Sequence, residues 1–440
     1  MRVALTIAGS DSIGGAGVQM DLKAFASLGV HGCSAITCLT AQNTTGITRV
    51  DAVTPDMLRE QIIAILNDMT PDAAKTGAIF TAENGEVVAE IFSERQIPIV
   101  IDPVLVSTTG ARLARDELIS IYRRKLMPIC TLVTPNISET ETLTGIRVSC
   151  IEDAERAAKA LLSCGAQGVL IKGIPAEDKV SDYLLLGDGS SQVLTSTRWP
   201  GEFHGTGCML SALITGHLSL GDDICTSVIR ARGEVFSALE FGINLGKGIK
   251  IIDPLRDVRR GAEKARILAS LEKIRSDIEA TLRIELIPEV GSNLGFALED
   301  PRTEQDVAAF TGRIIREGAR ARIIGCSRFG ASKHVARIII AASKFDGSVK
   351  SAMNIKFNRR NLDACSKAGL SMSSFSRKDE PGGVSSMSWG TEHAIESYGA
   401  VPDIIWDDGG HGKEPMIRIL GKDAEDVLTK LKRIADSLGG

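Results

Sequence analysis

Phe203, His204, Gly205, Thr206, Gly207 and Cys208 run directly into Met209, Leu210, Ala212, Leu213 and Leu218, apolar residues at helical spacing. That order sets the amides of Gly205 to Cys208 at a helix N-terminus, where they can hold the charge that develops on a phosphoryl group in transfer. Cys208, in the first turn, is expected to have a lowered pKa and to take a proton from a substrate hydroxyl as a thiolate; a buried thiol in a packed turn is the plain alternative. A second glycine loop, Gly9, Ser10, Asp11, Ser12, Ile13, Gly14, Gly15, Ala16 and Gly17, joins an apolar run to a helical pattern. It is either another amide cradle or a tight turn, and it has neither the Walker spacing nor the dinucleotide Gly-x-Gly-x-x-Gly fingerprint. Thr134, Pro135, Asn136 and Glu139 place an amide and a carboxylate at the end of a predicted strand. Asn136 and Glu139 are candidates for the water shell of a magnesium ion bridging nucleotide phosphates, and otherwise an Asx turn and a helix-start acid. Lys172 ends another strand and is a candidate for neutralising phosphate, or a solvated strand-end lysine.

The last third of the chain has its own candidates. Gly325, Cys326, Ser327, Arg328, Phe329, Gly330, Ala331, Ser332, Lys333 and His334 precede Val335, Ile338, Ile339 and Ala342. An apolar strand, a loop and a capped helix again predict an anion cradle, with Ser332, Lys333 and Arg337 as phosphate ligands and Arg328 and His334 nearby. Arg313 adds a planar donor suited to bidentate phosphate contact. The ordinary alternatives are a surface ion pair for Arg313 and a satisfied helix-start histidine for His334. Asp407 to Pro415 is polar and turn-rich, fit for a metal, a phosphate or plain solvent, and its metal ligands, if any, are not named by the sequence.

The elements that must position these residues follow from pattern. Val3 to Ala8, a helix near Val18 to Leu28, Cys33 to Ala41 and a helix over Pro55 to Met69 give a βαβα order, continued by Ile97 to Asp102, Thr131 to Thr134 and Val169 to Lys172. These runs are nearly continuously apolar, as parallel strands covered on both faces should be. Tyr183 to Leu186 and Gln192 to Thr197 predict a hairpin around Gly187 and Gly189. Asp257 to Arg283 predicts one amphipathic connecting helix. Beyond it Arg322 to Ile324 and Ile417 to Leu420 read as strands and Ser332 to Ser343 as a helix. The expected boundaries are 1–254, 255–285 and 286–440: an α/β domain with a central mostly parallel sheet, a connecting helix, and a smaller α/β or α+β domain.

Composition narrows the function classes. The chain of 440 residues has 51 basic and 55 acidic side chains, a formal charge of −4, and only 4% aromatic residues. A nucleic-acid partner has neither its electrostatic footprint nor stacking platforms. No apolar run approaches the roughly 20 residues that span a bilayer, and the opening Val3 to Ala8 is too short for a signal sequence, so a cytoplasmic protein is expected. Nine cysteines are scattered, without the spacing of a zinc or redox site.

Gly9 to Asp11 with Gly14 to Gly17, Ala41-Gln42-Asn43-Thr44, Asp102-Pro103-Val104, Thr134-Pro135-Asn136 with Glu139, Lys172-Gly173 and His204 to Cys208 together resemble the hydroxymethylpyrimidine/phosphomethylpyrimidine kinases, a ribokinase-like family. The Gly-Thr-Gly-Cys motif is the most specific, since ribokinase-like sugar kinases normally keep Asp where Cys208 stands. The resemblance implies ATP and magnesium as cofactors and two successive phosphorylations of the pyrimidine. It further implies Gln42, Gly9 and Asp11 at the substrate, Gly205, Thr206 and Gly207 as an anion hole, and Cys208 as base. Lys172-Gly173-Ile174-Pro175 departs from the family's Lys-Gly-Gly-His, and Gly77-Ala78-Ile79 from its Gly-Met-Leu. Residues 286–440 resemble the ThiN-type thiamine-phosphate synthase domain, through Ile287 to Gly291, Asp306-Val307 with Gly312-Arg313-Ile314, Ser332 to Arg337, Met353-Asn354-Ile355, Glu380-Pro381, Pro402-Asp403 and Gly412 to Pro415. That resemblance implies Arg313 and His334 as catalytic residues, supplying cations around a leaving pyrophosphate. The partners expected are small molecules, namely hydroxymethylpyrimidine, its phosphates and thiazole phosphate, together with a further copy of the chain in a homo-oligomer. Two rival readings stand beside this one: a second domain that senses a thiamine phosphate and regulates the kinase, and a kinase acting on a sugar or pyridoxal. Cys208 and Gln42 speak against a sugar.

Overall fold

The computed structural model describes residues 1–105, 116–201, 203–240, 242–380, 386–410 and 412–438. The chain divides into a unit ending at Val258 and another beginning at Arg259.

In the first unit the strands of the main sheet are Val3–Asp11 (β1), His31–Asn43 (β2), Gly46–Ala52 (β3), Ala73–Thr76 (β4), Ile99–Ile101 (β5), Leu132–Val133 (β6), Gly168–Ala176 (β7), Lys179–Leu186 (β8) and Ser191–Thr197 (β9). They form one sheet in the order β3-β2-β1-β4-β5-β6-β7-β8-β9. The run from β2 to β7 is parallel, while β3, β8 and β9 join antiparallel at the edges. Neighbouring residues feed opposite cores: Ile99 and Ile101 enter one cluster with Ile7, Val133 and Ile171, and Val100 enters the other with Ala4, Leu132 and Leu170. Burial on both faces is why these strands are apolar throughout rather than alternating. The order reverses at β1, which has β2 on one side and β4 on the other, and such a switch point opens a crevice at the strands' carboxyl ends. Two strands of this sheet were not predicted: β3, an edge strand whose residues are half-buried or exposed and so carry no hydrophobic signal, and β4, four buried residues that include Lys75 and Thr76.

The second unit is built on a sheet of Ser327–Phe329, Val307–Phe310, Leu294–Ala297, Ser351–Lys356, Met416–Gly421, Ile404–Asp407 and Met372–Ser374, in that spatial order. It is antiparallel except where Met372–Ser374 meets Ile404–Asp407. The helix Lys333–Ser343 packs on one face through Val335, Ile338 and Ile339. On the other lie Ala424–Ser437 and two helices, Arg256–Lys273 and Arg275–Thr281, where the sequence predicts one connecting helix. Their apolar residues Ile267, Leu271, Ile274, Ile278 and Leu282 are fully part of the second unit's core. The amphipathic stripe is therefore a packing face of a domain, and the helix breaks at Ile274.

Candidate active sites

A cavity of about 740 Å³ lies at the carboxyl ends of the parallel strands. Its wall takes Ser10 and Asp11 from the end of β1, Gly77 after β4, Asp102 after β5, Asn136 and Glu139 after β6, Lys172 in β7, and Gly205 to Cys208. The helix Thr206–Leu220 starts on Gly205, whose φ of +90° is left-handed; a Cβ there would stand 1.9 Å from the Gly15 carbonyl oxygen. Only glycine lets the two loops close on each other. The helix is buried nearly all round and packs on Gly17–Ser27 and Ile224–Leu239, so its amide end cannot drift.

Asp11 organises the first loop, its carboxylate accepting from the amides of Ile13, Gly15 and Ala16 at 3.1, 3.0 and 2.8 Å and lying 3.0 Å from His204 Nε2. Burial pushes its pKa up, but the His204 bond and these amides outweigh that and hold it below the usual carboxylate range. Gln42 reaches the same ring nitrogen at 2.9 Å. One nitrogen cannot donate to Asp11 and accept from an amide N–H together, so with Nε2 protonated the Gln42 side chain turns its oxygen to His204.

On the other side of the cavity Lys172 Nζ sits 3.0 Å from Asp102, which also accepts from Thr134 and Ser211, each at 3.1 Å. Asn136 and Glu139 form a capping box: Asn136 Oδ1 accepts from the Glu139 amide at 2.9 Å, and Glu139 Oε2 accepts from the Asn136 amide at 2.8 Å. Helix capping is thus part of what both residues do, beside any contact with magnesium water. Burial pushes Glu139 up to about 7, against the pull of Lys172 and with the push of Asp102. Among the described residues no group of three or more His, Cys, Asp or Glu could hold a metal ion alone. Magnesium commonly takes one or two carboxylates and completes its shell with phosphates and water, so Asp102 and Glu139 beside a nucleotide fit that ion.

The expectation of an acidic Cys208 is corrected. Burial pushes its thiol up to about 12; Lys75 and an amide bond pull down, while Asp21 and Asp102 push further up. Desolvation of the thiolate outweighs the helix N-terminus. Behind Cys208 lies a pair the sequence reading missed: Lys75 and Asp21, both fully buried, 2.8 Å apart, with Thr6 donating to Asp21 at 2.6 Å. A lysine inside the apolar run Ala73–Thr76 was the available signal, because a charge in a buried strand demands a partner. Of the residues that depart from the family pattern, Ala78 lines the cavity, Ile79 and Ile174 are core residues, and Pro175 is not on the cavity wall.

The second unit holds a cavity of about 540 Å³ lined by Gly291, Asn293, Arg313, Ser332, His334, Arg337, Asn354, Arg377, Lys413 and Glu414 among others. Ser332 caps the helix Lys333–Ser343, accepting from the Val335 amide at 3.4 Å. Arg337 lines the wall but holds Glu304 at 2.8 Å, and neither Lys333 nor Arg328 lines it. The predicted cradle from Gly325 onward is also corrected: Ser327–Phe329 is the edge strand of the sheet, and of this stretch only Ser332, His334, Val335 and Arg337 reach the cavity. Arg313 has φ +65° and donates to the Val290 carbonyl. His334 is not the cation expected. Burial, then Arg418 and Arg377, push its pKa down to about 4, so it is neutral near pH 7, and its buried Nε2 has no hydrogen-bond partner among the described residues. Asp407, Arg377 and Arg418 form a buried cluster that sequence reading did not foresee, although Arg418 between Ile417 and Ile419 was a charge in an apolar strand. Pro381 and His411, each part of a stretch singled out in the sequence, lie outside the described residues.

The profile of the phosphomethylpyrimidine kinase family matches residues 11–253, and that of the thiamine-phosphate synthase ThiN matches residues 270–433. The chain is 32% identical over 439 residues to the bifunctional thiamine biosynthesis protein ThiDN of Methanocaldococcus jannaschii, covering 98% of each. It is 43% identical over 248 residues to the hydroxymethylpyrimidine/phosphomethylpyrimidine kinase of Synechococcus elongatus, covering 56% of this chain and 94% of that one. Among solved structures, the ADP complex of Bacillus subtilis pyridoxal kinase superposes with a TM-score of 0.54 at 32% identity, over 58% of this chain and 98% of that one. Staphylococcus aureus pyridoxal kinase with AMP-PCP and pyridoxal gives 0.53 at 31% identity, over 58% and 93%. No helix among the described residues is long and apolar enough to cross a membrane.

Proposed function

We infer, from the premise that this chain belongs to the bifunctional thiamine biosynthesis proteins joining a phosphomethylpyrimidine kinase to a ThiN thiamine-phosphate synthase, how each cavity serves its reaction. The first unit phosphorylates hydroxymethylpyrimidine and its monophosphate from ATP, and the second joins the diphosphate to hydroxyethylthiazole phosphate with release of pyrophosphate. The observation that supports the kinase assignment is the convergence of Lys172, the amides of Gly205 to Cys208 and the Asp11–His204–Gln42 cluster on one cavity.

In the first site Gln42, Asp11 and the Gly9 backbone orient the aminopyrimidine. The amides of Gly205, Thr206 and Gly207 take the charge spread over the transferring phosphoryl oxygens, and Lys172 neutralises phosphate beside Asn136. A magnesium ion held by Asp102 and Glu139 would supply further charge neutralisation. Cys208 accepts the hydroxyl proton as a thiolate, a form that Lys75 favours and burial opposes. Because that form is scarce at neutral pH, turnover should climb as pH rises above about 7. In the second site Arg313, Ser332 and Arg337 hold phosphate oxygens, Lys333 adds only its field, and neutral His334 offers a hydrogen bond rather than a charge. Domain limits of 1–254, 255–285 and 286–440, with the middle segment packed into the second core, self-association and a cytoplasmic location complete the proposal.

The test is to incubate the full chain with hydroxymethylpyrimidine, thiazole phosphate, ATP and magnesium and to look for thiamine phosphate. Tight binding of thiamine phosphate with no condensation would instead make the second unit a sensor. Cys208→Ala should cut kinase turnover by roughly 10²–10⁴-fold and spare condensation of supplied diphosphate, and Arg313→Ala should do the reverse; equal losses in both assays would overturn the division of labour. The likeness to pyridoxal kinases makes pyridoxal the control substrate.

A further inference from the structure

Asp407 is fully buried and carries two guanidinium groups. Arg377 donates Nε to Oδ1 at 2.5 Å and Nη2 to Oδ2 at 3.3 Å, and Arg418 donates Nη2 to Oδ2 at 2.6 Å. One carboxylate against two cations leaves an excess positive charge inside the protein. The Phe375 ring lies 5.2 Å from Arg418 and 6.0 Å from Arg377, which is a weak counterweight to a desolvated charge. Two buried nitrogens in the same neighbourhood, Arg418 Nε and His334 Nε2, have no partner among the described residues.

Arg377 and His334 line the 540 Å³ cavity; Arg418 stands behind them and does not. Glu414 is the one carboxylate on the described cavity wall, and its oxygens already accept from the amides of Glu289 and Val290 at 2.9 and 3.3 Å. Those amides hold Glu414 at the Glu289–Val290 turn, and among the described residues no carboxylate of the wall pairs with Arg377 or Arg418. An anion entering the cavity would balance the cluster, and the more charge it brings the better. We propose that Arg377, held in place by Asp407 and Arg418, is the seat of the substrate's diphosphate and of the pyrophosphate that departs. Arg377 is the contacting residue and Arg418 a positioning residue. This assignment rests on the synthase reading of the second unit.

The geometry also says which variants are informative. Arg377→Gln leaves Asp407 paired one to one with Arg418, so the cluster becomes neutral without stranding a charge; Arg418→Met does the same from behind. In the full chain, both should raise the KM for the pyrimidine diphosphate and the inhibition constant of inorganic pyrophosphate by roughly ten- to hundred-fold, while the KM for thiazole phosphate stays at its wild-type value. Arg377→Lys should recover part of the loss. A rise in the thiazole phosphate KM instead would assign the seat to that substrate's phosphate and overturn the proposal, as would an unchanged pyrophosphate constant in a variant whose melting curve is wild type. If the wild-type chain makes no thiamine phosphate, the synthase reading fails by itself. Direct calorimetric binding of pyrophosphate, with the first cavity saturated by ADP, then judges the seat: dependence on Arg377 upholds it and independence removes it.

Discussion

The two cavities receive anions by opposite constructions. The first is made of backbone: loops at the carboxyl ends of parallel strands, a helix N-terminus at Thr206 and a left-handed Gly205 that lets them close. The second is made of side chains, with the guanidiniums of Arg313 and Arg377 carried on connections outside a sheet that is almost wholly antiparallel. The difference follows from topology. Parallel strands end together, so every following loop and helix N-terminus gathers at one edge. Antiparallel strands end alternately at both edges, leaving long cationic side chains to converge from positions scattered through the chain. The buried ion groups differ in the same sense, since Lys75–Asp21 is balanced and Asp407 with two arginines is not.

The largest blow to this comparison should come from Asp407→Asn, which strands two neighbouring guanidiniums in the core. The second unit should lose about 3–5 kcal/mol, read from urea unfolding followed through Trp406 and Trp389; a loss no larger than that of a surface substitution would show that the cluster is solvated. Next is Gly205→Ala, whose methyl group meets the Gly15 carbonyl and displaces the helix N-terminus. Kinase turnover should fall by roughly 10²–10³-fold while condensation persists, and intact turnover would show that the amides do not hold the phosphoryl group.

Smaller effects come from titration. His334 is depressed from 6.5 to about 4 by burial and by Arg418 and Arg377, so between those values the unfolded chain binds the proton better than the folded one. Stability of the second unit should therefore decline as pH falls through that window, and His334→Gln should flatten the decline in a series of melting curves. Glu139 is raised to about 7 by burial, so acidification below that value removes its charge. The kinase KM for magnesium–ATP should rise as pH drops below 7, and Glu139→Gln should show a high, pH-independent KM. A sloping profile in that variant would move the titration to another group.

Legibility followed the same divide. The strands β1, β7 and β8, the loops at Gly9 and Gly205, and the capped helix after Ser332 were readable because each is announced by contiguous residues. The acidity of Cys208 was misjudged because helix position is local and desolvation is not. His334 was misread as a cation for the same reason, its two depressing arginines lying 43 and 84 residues away. The break at Ile274 and the edge strand β3 escaped notice because their residues fit a helix pattern or no pattern at all.

By itself, then, the order of residues determined the α/β alternation, the glycine loops that bare backbone amides and the two-part chemistry, all of which rest on interactions within a few residues. Tertiary structure decided which charges are balanced and which groups keep their protons: Lys75 with Asp21, Asp407 between Arg377 and Arg418, and the protonated Cys208. Those outcomes depend on loss of water and on partners far apart in the chain, and neither quantity is a property of a local segment.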